Sequence, residues 1–259
     1  NSAVNPLDIG EGGAFFNSES SPKITNAVFR NNMVNGDGGA VFNSASTAKI
    51  VNAIFVDNTA VNGEGGAIVN NGGTNPTITN ATITGNSAGG EGGGIYNGND
   101  GTDPTIANTI LWGNTAPTSP EVGNYVAGFG SGEANPAFTN SLVSGSGGSS
   151  SWDTAFGTDN GGNVDASPLF LSPTDPSGPD GQLATSDDGL QLLSTSPAAD
   201  AGSNTNVPTD AADLDGDDNT SEQLPFDLTG AARVQDQNDD GTSTVNMGAY
   251  EVTTDALTI

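Results

Sequence analysis

The chain has no cysteine and no histidine among its 259 residues. The first absence removes disulfides, thiolate metal sites and thiol nucleophiles together, and leaves the compartment open. The second removes the side chain that most often carries protons near neutral pH. Basic residues are scarce too: Lys and Arg total 4 against 31 Asp and Glu, for a formal net charge of −27. Nucleic acid and anionic membrane surfaces reward basic patches, so neither is an expected partner, whereas cations are. No apolar run approaches the roughly 20 residues that span a bilayer, so no membrane insertion is expected. Residue 1 does not begin a signal peptide, and the chain reads as a mature or trimmed segment.

Glycine is abundant, at 38 residues, and Asn, Ser and Thr are common, a composition that disfavours long helices and favours turn-dense β structure. With 33% hydrophobic residues, a core is affordable only if it is narrow and reused along the chain. Of the 31 acids, 20 follow residue 150, which puts the charge in the loops of the second half. A saline habitat would produce the same balance.

Segments starting at Gly10, Gly36, Gly63 and Gly90 align at spacings of 26, 27 and 27 residues. Each opens with Gly, an acid and two glycines, the acids being Glu11, Asp37, Glu64 and Glu91. A short apolar strand follows, as in Ala40-Val41-Phe42-Asn43, and then a longer one built around an Asn, as in Ile24 to Phe29. Each unit closes on an apolar residue with Asn three positions later: Phe29 and Asn32, Phe55 and Asn58, Ile83 and Asn86, Leu111 and Asn114. No unit can bury its apolar side chains alone, but units stacked about 4.8 Å apart pair each strand with its counterparts above and below. The expected fold is all-β, a right-handed parallel β-helix (solenoid), the hand following from the rule for crossovers between parallel strands. Phe15, Val41, Ile68 and Ile95 should stack inside, as should Phe29, Phe55, Ile83 and Leu111. Asn26, Asn52, Asn80 and Asn108, and again Asn32, Asn58, Asn86 and Asn114, should form ladders at the turns.

The G-G-A-I-like and F-x-x-N-like tetrapeptides resemble the repeats of polymorphic outer membrane proteins and related bacterial β-helix surface proteins. Four units match, and a fifth, degenerate one runs through Pro136 to Leu142. From Gly161 the pattern changes, through Ser196-Pro197-Ala198-Ala199-Asp200-Ala201-Gly202 to Asn246-Met247-Gly248-Ala249-Tyr250-Glu251. That run resembles the C-terminal part of secreted bacterial β-helix proteins with a choice-of-anchor domain. The division implied is residues 1–145 as about five coils and 146–259 as degenerate coils and an acidic, loop-rich C-terminal region. The resemblance also implies export, to an extracellular or cell-surface location.

The acidic column Glu11, Asp37, Glu64 and Glu91 would line one edge, either solvated or bridged by cations, because neighbouring carboxylates repel by only about 1 kcal/mol per pair in water. Two further segments place alternating acids in loops, the pattern that wraps a hard cation in oxygen ligands. These are Asp213, Asp215 and Asp217, and Asp236, Asn238 and Asp240, and calcium is the cofactor expected there. The second segment begins like an EF-hand loop but has Met247 at position twelve, where a bidentate Glu belongs, so an EF-hand is not expected. Arg233, the only base after residue 49, is expected to neutralise buried acids near Asp227 or Glu251.

Acids that recur from coil to coil are what architecture produces, whereas catalysis needs one asymmetric constellation. The expectation is therefore a non-enzymatic structural or adhesive surface protein, with no catalytic residue assigned. A glycan- or surface-binding module is the alternative, and a polysaccharide lyase-like enzyme is further off. Ice binding would need outward Thr rows over several coils, and Thr77, Thr79, Thr82 and Thr84 occur in one. Asn1-Ser2-Ala3 resembles the coil-closing Asn86-Ser87-Ala88, and Ala256 to Ile259 is apolar and β-prone. Head-to-tail self-association into a filament is the expectation drawn from these two ends.

Overall fold

The computed structural model describes residues 2–3, 10–73, 75–99, 101–126, 132–236 and 241–251. Among them the fold is a parallel β-helix. One face carries the strands Phe15–Ser18, Val41–Ser44, Ile68–Asn71, Ile95–Asn97 and Val122–Asn124, each paired in parallel with the next. The longest face carries Lys23–Arg30, Lys49–Val56 and Thr77–Thr84, and continues as the split pairs Thr105–Ala107 with Ile110–Trp112 and Ala137–Thr139 with Leu142–Val143. A narrow third face is made of the two-residue strands Ser2–Ala3, Met33–Val34, Thr59–Ala60 and Ser87–Ala88.

The Gly-acid-Gly-Gly motif is explained by backbone geometry. Gly12, Gly38, Gly65 and Gly92 all have φ between 64° and 70°, the left-handed region where a side chain is strained. The glycine after each faces the next coil: a Cβ on Gly39 would lie 1.9 Å from the Gly66 carbonyl oxygen. One glycine turns the chain and the other lets two coils approach.

The interior column runs through Val41, Ile68, Ile95 and Val122 from one face and Phe29, Phe55, Ile83, Leu111 and Val143 from another, all buried. Phe29 and Phe55 stack with ring centroids 4.6 Å apart. Phe15 belongs to the first column and packs edge-on against Phe29, but it remains 47% exposed because its strand is the outermost of the sheet among the described residues.

Three Asn columns differ in kind. Asn58, Asn86 and Asn114 donate from Nδ2 to the Phe29, Phe55 and Ile83 carbonyls, while Asn32, Asn58 and Asn86 each donate to the next Asn Oδ1 at 2.8 Å. A second ladder, beyond the two expected from the sequence, links Asn17, Asn43, Asn70, Asn97 and Asn124 at 2.8 to 2.9 Å. The expected ladder at Asn26, Asn52, Asn80 and Asn108 is not continuous. These residues, with Asn140, sit at φ of 45° to 55° and bend the long strands. Only Asn52 donates to Asn26, and the Asn80 amide has no partner. The left-handed bend turns the Asn52, Asn108 and Asn140 amides outward, where they donate to the Phe226, Ser203 and Ala201 carbonyls of the chain that packs over them.

That chain is the C-terminal region. After Val164 bridges to Leu142, the pairings become isolated and antiparallel, as at Phe170 with Leu192 and Phe226 with Ala232. The segment runs back over the outside of the longest face as a strap. It covers the outward-facing Ile54, Val56, Ile110 and Leu142 with Phe170, Leu190, Leu192, Ala198, Met247, Ala249 and Tyr250, and it covers Val51 with Val207, Leu224 and Val245. At about 25 cal/mol per Å² of apolar surface, each fully buried aliphatic side chain contributes about 2 kcal/mol toward holding the strap down.

Candidate functional site

The charged residues of the strap fall into two groups, one buried against the β-helix and one in an acidic loop. In the first, Arg233 is fully buried and its Nη1 lies 2.7 Å from Glu251 Oε1. Arg233 also donates to the Gly248 and Ala249 carbonyls and, through Nη2, to Asn52 Oδ1 on the bend of the second coil. Asp227 completes the arrangement by accepting the Glu251 and Ala231 amides at 2.8 and 2.9 Å. Burial pushes the Glu251 carboxyl above the usual carboxylate range, and the Arg233 charge pulls it back only in part. Arg233 thus pairs with a buried acid, as its isolation in sequence suggests.

The Met247-Gly248-Ala249-Tyr250-Glu251 run is the clamp. Gly248 N donates to the Asn108 carbonyl at 2.8 Å and Ala249 N to Thr82 Oγ1 at 3.0 Å. Gly248 must be glycine, since at φ 99° a Cβ would sit 2.9 Å from both Ile110 Cδ1 and Thr82 Oγ1. Met247, at the position where an EF-hand places its bidentate acid, is fully buried in the apolar cluster beneath the strap. The Tyr250 hydroxyl donates to the buried Asp188, which also accepts the Ala184 amide at 2.7 Å. Burial, followed by the bond and charge of Asp188, pushes the Tyr250 phenol up.

The second group lies in the loop that leaves the strap after Thr209 and returns at Gln223, where those two residues bridge. Asp213, Asp215 and Asp217 come together there, with carboxylate oxygens within 4.8 Å of one another. Asp210 and Glu222, which lie outside the alternating run, join Asp215 in a second such group. The signal for them was present: acids bracket the loop at the two points where its ends pair. Asp236 is not drawn in, and its Oδ2 accepts the Gly241 amide at 2.9 Å. Asn238 and Asp240 lie outside the described residues.

No protein-family model matches the chain, and no curated protein matches it.

The acidic column of the β-helix is single file. Glu64 N donates to Asp37 Oδ1 at 2.8 Å. Desolvation first, and then the Asp37 charge, raise the Glu11 and Glu64 carboxyls. Among the described residues only the two loop groups bring three acidic oxygens within 4.8 Å, so the column does not gather into a cage. Glu121 is an asymmetric acid: it is buried, and it accepts Asn114 Nδ2 at 2.6 Å and Gly113 N at 2.8 Å. Burial outweighs those hydrogen bonds and pushes its carboxyl up to about 7.

Proposed function

We propose that the protein is a non-enzymatic, extracellular structural or adhesive module: a secreted β-helical rod that self-associates head to tail and is stabilised by calcium in its C-terminal loops. The observation that carries this reading is the sealed long face. The broadest surface of the solenoid lies under the strap, and the residues with catalytic potential there, Arg233, Glu251, Asp227 and Asp188, all bond to one another, to the strap backbone or to Asn52. The elements that repeat are those of a scaffold: glycine turns, Asn ladders and an apolar column. An incubation with neutral and acidic polysaccharides should yield no new reducing ends and no unsaturated products; either product would overturn the reading.

Head-to-tail association draws support from the first coil. Among the described residues its strand Phe15–Ser18 lies at the edge of its sheet, and Phe15, Phe16, Val28 and Met33 are each more than a third exposed. Such an edge offers both unpaired backbone groups and apolar surface. The apolar segment Ala256 to Ile259 lies outside the described residues. Electron microscopy of concentrated protein should show rods several subunits long, and Phe16→Asp should return them to monomers. Monomers alone in the parent protein would remove the assembly part of the proposal.

For calcium, the all-oxygen ligand sets at Asp213, Asp215 and Asp217 are the support, because hard cations select carboxylates and carbonyls. A cation bound only by the folded state raises stability with its concentration. The melting temperature should therefore rise between chelator and millimolar calcium, and an unchanged value would refute the calcium reading.

A further inference from the structure

The acidic loop contains more than exposed acids. Asp210 is 1% exposed, and its Oδ1 is buried with no hydrogen-bond partner. Its other oxygen, Oδ2, accepts the Leu214 amide at 2.6 Å. Glu222 shows the same division: Oε1 is buried and unpartnered, while Oε2 takes the Asn219 side-chain amide. The two residues face each other across the neck of the loop, where Asp210 N donates to the Glu222 carbonyl at 2.8 Å.

Two acids directly opposite one another on paired strands destabilise the pairing, and a buried carboxylate oxygen with no donor loses its hydration without compensation. Both costs fall on this one neck. No base lies between residues 49 and 233 in the sequence, and the sole ion pair among the described residues is that of Arg233 with Glu251. A divalent cation would remove both costs together.

We propose that Asp210, Asp215 and Glu222 form the primary calcium site of the protein, with Asp213 and Asp217 as its outer, exchangeable acids. This rests on the calcium reading above and relocates its centre from the exposed run of the loop to the buried neck. The neck is the informative place for a cation. Val207 and Leu224, which flank it, pack on Val51 of the second coil, and Leu224 N donates to the Pro208 carbonyl at 2.8 Å. A cation joining Asp210 to Glu222 closes the loop at its base and fixes this stretch of the strap on the β-helix. Calcium fits better than magnesium because an irregular loop rich in carboxylates can supply six to eight oxygens at flexible geometry, whereas magnesium demands a near-ideal octahedron.

The test is calorimetric titration of the full chain with calcium chloride, after chelator treatment, for the parent and for Asp210→Asn, Glu222→Gln, Asp217→Asn and Asp236→Asn. Asp210→Asn keeps an acceptor for the Leu214 amide, and Glu222→Gln offers a second variant should the first fail to fold. The expected result is affinity lowered about tenfold or more by Asp210→Asn and by Glu222→Gln, a smaller loss with Asp217→Asn, and none with Asp236→Asn. Loss of binding in Asp217→Asn with Asp210→Asn and Glu222→Gln unaffected would overturn the neck site while leaving the calcium reading standing. Absence of binding in the parent up to millimolar calcium would overturn both. Equal or tighter binding of magnesium chloride would overturn the assignment to calcium.

Discussion

Asn114 Nδ2 donates to Glu121 Oε2 across 2.6 Å, so the ladder that begins at Asn32 ends on a buried carboxylate. The side-chain links from Asn to Asn all run in one direction, each Nδ2 giving one hydrogen to the next acceptor toward Glu121. With an ordinary value of 4.5 and a folded value of about 7, Glu121 binds a proton more readily in the folded than in the unfolded chain. Its contribution to stability is therefore fully present below pH 4.5 and is lost as pH rises through about 7. Glu121→Gln removes this titration. Denaturant unfolding of both proteins from pH 4 to 8 should show the stability of the parent, relative to the variant, falling by on the order of 3 kcal/mol across that window. A constant difference would refute it.

Removing one partner of a buried ion pair strands the other. Arg233→Met should cost about 3–5 kcal/mol, whereas Arg233→Met combined with Glu251→Leu should recover most of the loss. Because Glu251 can protonate once its partner is gone, the cost of the single variant should shrink as pH falls. Urea unfolding at two pH values checks both statements.

A Cβ at residue 248 cannot be accommodated beside Ile110 and Thr82 without lifting the clamp. Gly248→Ala should leave the coils folded but loosen the strap, so that limited proteolysis cuts first between residues 166 and 250. Retention of the parent's protease resistance would show that the clamp is dispensable.

Within the ladder, Asn86→Ala takes the Oδ1 acceptor from the Asn58 backbone N–H and from one Asn58 side-chain hydrogen, and takes a donor from Asn114 Oδ1 and the Phe55 carbonyl, all in the interior. Each unsatisfied group costs about 1–3 kcal/mol, so a loss of about 3 kcal/mol or more is expected. Asn62→Ala, an exposed position on the outside of the coil, should change stability by less than about 0.5 kcal/mol. Comparable effects at the two sites would contradict the ladder's role.

The repeat could be read from sequence because every coil solves the same problem with the same residues: glycine where φ is positive and where coils touch, and aliphatic or aromatic residues at Phe29, Phe55 and Ile83 where strands face inward. The ladder at Asn32 was legible for that reason. The one at Asn17 escaped because its residues sit within the strands rather than at the turn. The strap left no periodic signal. Arg233 meets Asn52 across a sequence separation of 181 positions, and nothing local foretells it, although Ile54, Val56, Ile110 and Leu142 occupy outward positions where a bare solenoid would carry polar residues. Asp213, Asp215 and Asp217 were visible as a run, whereas Asp210 and Glu222 become neighbours only through the pairing of Thr209 with Gln223.

A stack of coils ordinarily behaves as a one-dimensional chain in which each unit feels only its neighbours and ends can fray independently. The strap changes that. Gly181 contacts Arg30, Phe226 and Arg233 reach Asn52, Ala249 reaches Thr82, Ser203 bonds Asn108, and Ala201 accepts from Asn140. One segment thus touches five successive levels, and no level can melt without releasing a covalently continuous span that also holds the others. The stack is thereby converted from a zipper into a single cooperative unit, whose last folding step, the docking of residues 166–251, must wait until the coils it crosses already exist.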